Sequence, residues 1–242
     1  AEAGAGLRAV FALPVLRALA GVHALLALSM ALSGTSVMIF VSRDIGLPTG
    51  ELGMIFAMGG LGAVLGGVLA PRLGLRLGAG RAMALGVAAF ALGAACVPMV
   101  QGVGWAAVGW LLAQQIVGDA GHTLHEVFDR GLRQTAVPAA LLARADAGIR
   151  SAGHGATLAG ALLGGALGTQ YGARTVLWLA AAVAAAAALL AATRAVFMDD
   201  STRASTAALM VLTTTAFSAA FTSVHWPVPF CPALSRIRST TA

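Results

Sequence analysis

Charge is what this sequence has least of. Only 10% of its 242 residues are charged, and every basic residue is an arginine, without a single lysine. A soluble domain needs a polar surface to stay in water, and a mean hydropathy of +0.88 does not provide one. The two cysteines, Cys96 in an apolar run and Cys231 near the C-terminus, do not make a disulfide framework. The composition predicts a polytopic membrane protein.

Signatures of catalysis and of nucleic-acid binding are also missing. The chain contains no nucleophile motif, no phosphate-binding loop and no dinucleotide fingerprint. We therefore expect neither an enzyme nor a cofactor. The net charge of +6 comes from arginines in short stretches between apolar runs, so it indicates membrane orientation and not a nucleic-acid partner.

Six apolar runs approach the roughly 20 residues that cross a bilayer as a helix. They cover about 15–41, 52–70, 82–100, 105 to beyond 124, 147–168 and 175–197. We predict an all-α membrane protein with a cytoplasmic segment over 1–14 and a six-helix transmembrane domain over 15–198. Residues 199–242 are threonine-rich and then proline-rich, which predicts a disordered or surface-lying tail.

The arginines alternate along the chain. They cluster before the first run, between the second and third, between the fourth and fifth, and after the sixth, whereas the other connections hold only Arg43 and Arg174. Positive charge resists translocation, so the arginine-rich connections and both chain ends should be cytoplasmic. On this interpretation residues 132–150, "LRQTAVPAALLARADAGIR", form a long basic cytoplasmic loop.

Glycines recur at helical spacing in two of the runs. Gly62 and Gly66 lie four apart in the second run, and Gly160, Gly164 and Gly168 form a stripe in the fifth. Small residues let helix backbones approach closely where no hydrophobic effect drives association in lipid. The stripes predict either a static packing seam or a surface on which helices slide.

The fourth run holds the densest polarity, "AQQIVGDAGHTLHEVFD". Asp119, His122 and Glu126 follow the spacing of one helix face. Ionisable groups in a spanning helix usually face a cavity or a partner. We expect a proton-coupling or substrate-binding site, with Asp119 as the protonatable carboxylate, His122 as its partner and Gln115 as a hydrogen-bond donor.

A second interpretation of this run is that the helix is already leaving the bilayer. Glu126 and Asp129 would then form interfacial ion pairs with Arg130 or Arg133.

Histidines do not suggest a metal site in the sequence. "HTLHE" lacks the order of a zinc protease and no distant third ligand stands out, so we predict no metal. His154, among glycines of the fifth run, either bonds to a neighbouring helix or lines a cavity.

Two stretches resemble a known family. "GGVLAPRLGLRLGAGR" resembles the loop signature of the major facilitator superfamily, although Pro71 replaces its usual aspartate. "LRQTAVPAALLARADAGIRSAGHGATLAGALLGGALGTQYGAR" resembles the loop and eleventh helix of bacterial enterobactin-exporter-like and multidrug-efflux-like members. The motif residues that match are Gly67, Arg72, Gly74, Arg76, Arg133, Gln134, Pro138 and Arg144.

The resemblance spans roughly residues 7–196 and implies the C-terminal half of a transporter in the bacterial cytoplasmic (inner) membrane. Such a half contains two inverted three-helix repeats and works with a second half by alternating access. The implied activity is export of a small molecule driven by proton entry. The implied partners are the substrate, the lipid bilayer, and the missing N-terminal six-helix half or a weak homodimer. The alternative is a non-transporting membrane protein, a truncated remnant or assembly partner with the same fold.

Overall fold

A computed structural model describes residues 14–137 and 139–200. The predictions for residues 1–13 and 201–242, and the motif residue Pro138, lie outside the described residues. Within the described ranges the chain is helical, without a strand.

Six helices form the described fold. They are α1, Pro14–Ile39 continued by a π-helical turn Phe40–Ile45; α2, Thr49–Leu77; α3, Ala79–Cys96; α4, built from Trp105–Ala113, the π-helical turn Gln114–Gly118 and Asp119–Ala136; α5, Ala139–Tyr171; and α6, Ala173–Asp200. The predicted all-α fold and its six helices are confirmed.

Four of the six helices are long and apolar enough to cross a membrane. These candidate spans are Pro14–Ile45, Gly50–Leu77, Ala79–Cys96 and Ala173–Ala195, in α1, α2, α3 and α6. In α4 the polar residues from Gln114 onward interrupt the apolar stretch. Helix α5 has charged residues in its first third and many glycines after them, which lowers its hydropathy. The described chain thus has the helices of a membrane protein, with four candidate spans where the sequence predicted six.

The prediction that residues 132–150 form a loop is wrong. Helix α4 continues to Ala136 and α5 begins at Ala139, so most of this stretch is helix. In the same way α2 continues through Pro71 to Leu77 and ends at Gly78, which has a φ of 86°. Arginine is a good helix former, so its charge marks where a helix leaves the apolar layer and not where the helix ends.

The helices pack in a regular order. The main contacts join α1 to α5, α2 to α4, α3 to α6, α1 to α6 and α3 to α4, whereas α2–α3 and α5–α6 touch less. If α1, α2 and α3 exchange places with α4, α5 and α6 respectively, the same set of contacts results. The first three helices therefore occupy surroundings equivalent to those of the last three.

Glycines set the separation of two of these pairs. A Cβ atom on Gly62 of α2 would lie 2.6 Å from the Gln115 carbonyl oxygen of α4, and one on Gly66 would overlap the Ala120 carbonyl. On α5, a Cβ on Gly160 would lie 2.7 Å from the Leu28 carbonyl oxygen of α1. At the other two predicted positions, a Cβ on Gly164 would overlap the Thr35 hydroxyl, whereas a Cβ on Gly168 would have its nearest neighbours 3.9 Å away. The α2–α4 and α1–α5 backbones are therefore in close contact.

Buried apolar residues fill both ends of the bundle. At the end that carries most of the arginines, here called the arginine-rich end, Leu16, Met83, Leu132 and Ile149 belong to one cluster. The opposite end has its own cluster, centred on Phe40 and residues of α2, α4 and α6. The polar residues of α4 lie along the helix between these clusters.

Candidate functional site

The polar residues at the middle of α4 face α2. Gln115 is buried and donates through Nε2 to the Phe56 carbonyl oxygen, at 3.3 Å. Asp119, one turn further along, is half-buried, and its Oδ2 occupies the space that a Cβ on Gly59 would need. Residues four apart lie on one helix face, so the backbone of Gly59 provides room for both side chains. Gln115, Asp119 and Gly59 form what we call the α2–α4 polar site.

His122 lies against a different helix. Its ring centroid is 5.8 Å from that of Phe90 in α3 and 6.4 Å from that of His125. No hydrogen bond joins it to Asp119 within the described residues. In the structure Asp119 lies against Gly59 of α2, and the His122 ring lies near that of Phe90 in α3.

Two further predicted residues lie outside the α2–α4 polar site. Glu126 forms a surface ion pair with Arg130 at 2.5 Å, with side chains 39% and 68% exposed. This is the pairing expected if α4 is leaving the bilayer here. His154 is exposed on α5.

A buried ion-pair network joins α4 to α5 at the arginine-rich end. Arg133 donates to both the Asp129 carboxylate of its own helix and the Asp146 carboxylate of α5. Asp129 and Arg133 have side chains only 2% and 10% exposed. Arg150 also pairs with Asp146, at 2.8 Å. We call Asp129, Arg133 and Asp146 the arginine network.

The remaining residues of the loop motifs lie at the surface or within helix α2. Gln134 and Arg144 are exposed, as are Arg72 and Arg76 at the end of α2. Among the motif residues that the structure describes, Arg133 is thus the one whose charged group is buried.

A third grouping is one that sequence reasoning missed. The donor atoms of His23 in α1 and of His125 and Asp129 in α4 all lie within 4.8 Å of one another. His125 and Asp129 are four residues apart, which the sequence does show. Their proximity to His23 depends on how α1 packs against α4, and a single sequence carries no signal for that. We call these three residues the His–His–Asp cluster.

No family model, curated protein or solved structure matches this chain. Its function is therefore inferred from the sequence, the helix bundle and its polar groups. Ionisable side chains inside membrane bundles are costly to desolvate and commonly mark paths for ions, protons or polar substrates. Within the part of the chain that the structure describes, the α2–α4 polar site, the His–His–Asp cluster and the arginine network place such groups in the interior.

Proposed function

We propose that this chain is the C-terminal half of a facilitator-type transporter that exports a small molecule by alternating access. The observation that carries the proposal is the helix packing, which is unchanged when α1–α3 are exchanged for α4–α6. Two inverted three-helix repeats would pack in this way, and transporters built from such repeats move one half against the other. The two stretches that resemble facilitator loops and the apolar helices add further support.

The α2–α4 polar site is the proposed coupling site. Substrate and ion sites in such transporters lie between repeats, near the middle of the bilayer. Asp119 belongs to the second three-helix unit and faces Gly59 of the first. We assign the proton to Asp119 and a hydrogen-bonding role to Gln115. Glu126 is already paired with Arg130 at the surface, so we give it no part in coupling.

Lipid and a second six-helix body are the proposed partners. Large apolar side chains are exposed along α2 and α5, including Leu61, Leu65, Leu158 and Leu162. Exposed apolar area of this extent requires a bilayer or another protein to cover it. We propose that an N-terminal six-helix half covers part of it, with a weak homodimer as the substitute when that half is absent.

The proposal predicts that Asp119→Asn abolishes proton-driven flux. The amide keeps the shape of the side chain but cannot take up and release a proton as a carboxylate does. Flux of an amphipathic dye such as ethidium should therefore fall to that of empty vesicles, in proteoliposomes that hold both halves under an imposed pH gradient. Glu126→Gln is the matched control on the same helix and should retain flux within about twofold, because exposed ion pairs contribute little.

Two results would count against this proposal. Equal flux in Asp119→Asn and the unmodified chain, over a range of pH, would remove Asp119 from the coupling site. Absence of flux across a panel of cationic and anionic dyes, with both halves present, would favour the non-transporting alternative.

The proposed orientation places the arginine-rich end in the cytoplasm. With Cys96 and Cys231 replaced by alanine, Val103→Cys between α3 and α4 should react with a membrane-impermeant thiol reagent in whole cells. Ala143→Cys, exposed near the start of α5, should react only after the cells are permeabilised. Labelling of Ala143→Cys from outside would reverse the orientation.

A further inference from the structure

We propose that the His–His–Asp cluster binds one divalent transition-metal cation, of which Zn²⁺ is the best match, and that the ion fastens α1 to α4. This inference is independent of transport, since it concerns residues that the α2–α4 polar site does not use.

The spacing of the donors supports a metal site. The donor atoms of His23, His125 and Asp129 are within 4.8 Å of one another. Donors bound to a single Zn²⁺ at about 2.0–2.2 Å lie roughly 3.3 Å apart when tetrahedral. Each side chain would need to move by about 1 Å or less to bind the same ion. Two imidazoles and one carboxylate are a donor set that zinc accepts, with a fourth position left for water or another ligand.

Burial provides a second and independent observation. His125 is 2% exposed and Asp129 is 1% exposed. The Nδ1 atom of His125 and the Oδ1 atom of Asp129 are both buried without a hydrogen-bond partner. Buried polar atoms are nearly always paired, because leaving one unpaired costs free energy. A cation bound by this cluster would give buried donors of both residues a partner at once.

The surroundings favour a cation despite the nearby arginine. Arg133 holds Oδ2 of Asp129, which fixes the carboxylate and leaves Oδ1 free. Such outer contacts orient metal ligands in known sites. Asp146 also pairs with Arg133, so two carboxylates share the charge of this arginine and Oδ1 of Asp129 keeps its acceptor capacity for the ion. Arg150, the other partner of Asp146, is 70% exposed and is screened by water.

A glycine in α5 makes room for the third ligand. A Cβ atom on Gly153 would lie 2.7 Å from Nε2 of His23. An alanine there would therefore push the His23 ring away from its present position. Gly155, on the same helix, has no atom within 4 Å of a Cβ and is a matched control.

The purified chain titrated with Co²⁺, an optical probe for zinc sites, should bind one ion with visible absorption bands that Zn²⁺ abolishes. Loss of an outer-shell partner costs about 10- to 100-fold in metal affinity, so His23→Ala should cost at least about 100-fold. His154→Ala, in the exposed part of α5, should change the affinity by less than about twofold.

Gly153→Ala keeps every ligand and tests whether the position of His23 matters. It should weaken Co²⁺ binding at least about tenfold, whereas Gly155→Ala should bind as the unmodified chain does. Failure of the unmodified chain to bind one Co²⁺, unchanged affinity in His23→Ala, or equal affinities in Gly153→Ala and Gly155→Ala would overturn the proposal.

Discussion

Replacing Arg133 with alanine is expected to destabilise the fold by about 3–5 kcal/mol, the usual cost of removing one partner from a buried ion pair. Arg133 compensates the charge of the buried Asp129 carboxylate. It also connects α4 to α5 through its ion pair with Asp146. Without it, Asp129 is left as an uncompensated buried charge. Thermal unfolding in detergent, followed by tryptophan fluorescence, should show the midpoint lowered by more than about 6 °C.

Arg130→Ala is the matched control for this experiment. Arg130 and Arg133 both pair with a carboxylate one turn earlier on α4, but the Arg130 pair is exposed. Its loss should cost no more than about 1 kcal/mol. Replacing Asp129 and Arg133 together with leucine should recover much of the stability, because a buried apolar pair needs no compensation. Equal effects of Arg130→Ala and Arg133→Ala would show that burial of the network contributes nothing.

Gly66→Ala is expected to destabilise the α2–α4 contact by about 1–3 kcal/mol, as overpacking does. The added methyl would overlap the Ala120 carbonyl oxygen and lie 3.0 Å from both the Ala120 Cα and its carbonyl carbon. These are backbone atoms, which cannot rotate away as the end of a side chain can. The two helices must separate, and the unfolding midpoint should fall.

Gly67→Ala tests the same substitution one residue later. No atom lies within 4 Å of a Cβ at Gly67. Alanine is the better helix former by up to about 1 kcal/mol, so this variant should unfold at the same or a slightly higher temperature. A midpoint for Gly66→Ala equal to that of Gly67→Ala would mean that α2 and α4 are not held in close contact.

The helices could be predicted from the sequence because their apolar runs are long and their glycines are regularly spaced. Their ends could not. The charge of residues 132–150 predicts a loop, yet arginine and alanine both favour helix. Only Val137 and Pro138 separate α4 from α5. Loss of apolar character shows where a helix meets water, which differs from where its hydrogen bonds stop.

Residues of the site divide in a similar way. The pairing of Glu126 with Arg130 could be predicted, because both lie on one helix at a fixed spacing. The link from Arg133 to Asp146 and the approach of His23 to His125 join different helices. Such contacts depend on how helices pack, and a single sequence holds periodicity within a helix but no distances between helices.

The lengths of the connections determine how the bundle can deform. One residue joins α2 to α3 and one joins α5 to α6, whereas the stretch between Cys96 and Trp105 joins α3 to α4. At about 3.3–3.6 Å per extended residue, a one-residue link leaves neighbouring helix ends almost no slack, but the eight residues of the α3–α4 connection could reach about 26–29 Å. The main contacts nevertheless join helices of α1–α3 to helices of α4–α6, whereas α2–α3 and α5–α6 touch less, so neither three-helix set is a separate body. A shear between the two sets would have to separate these contacts, including those at which Gly59 meets Asp119 and His23 meets His125, so we expect the six helices to move as one unit.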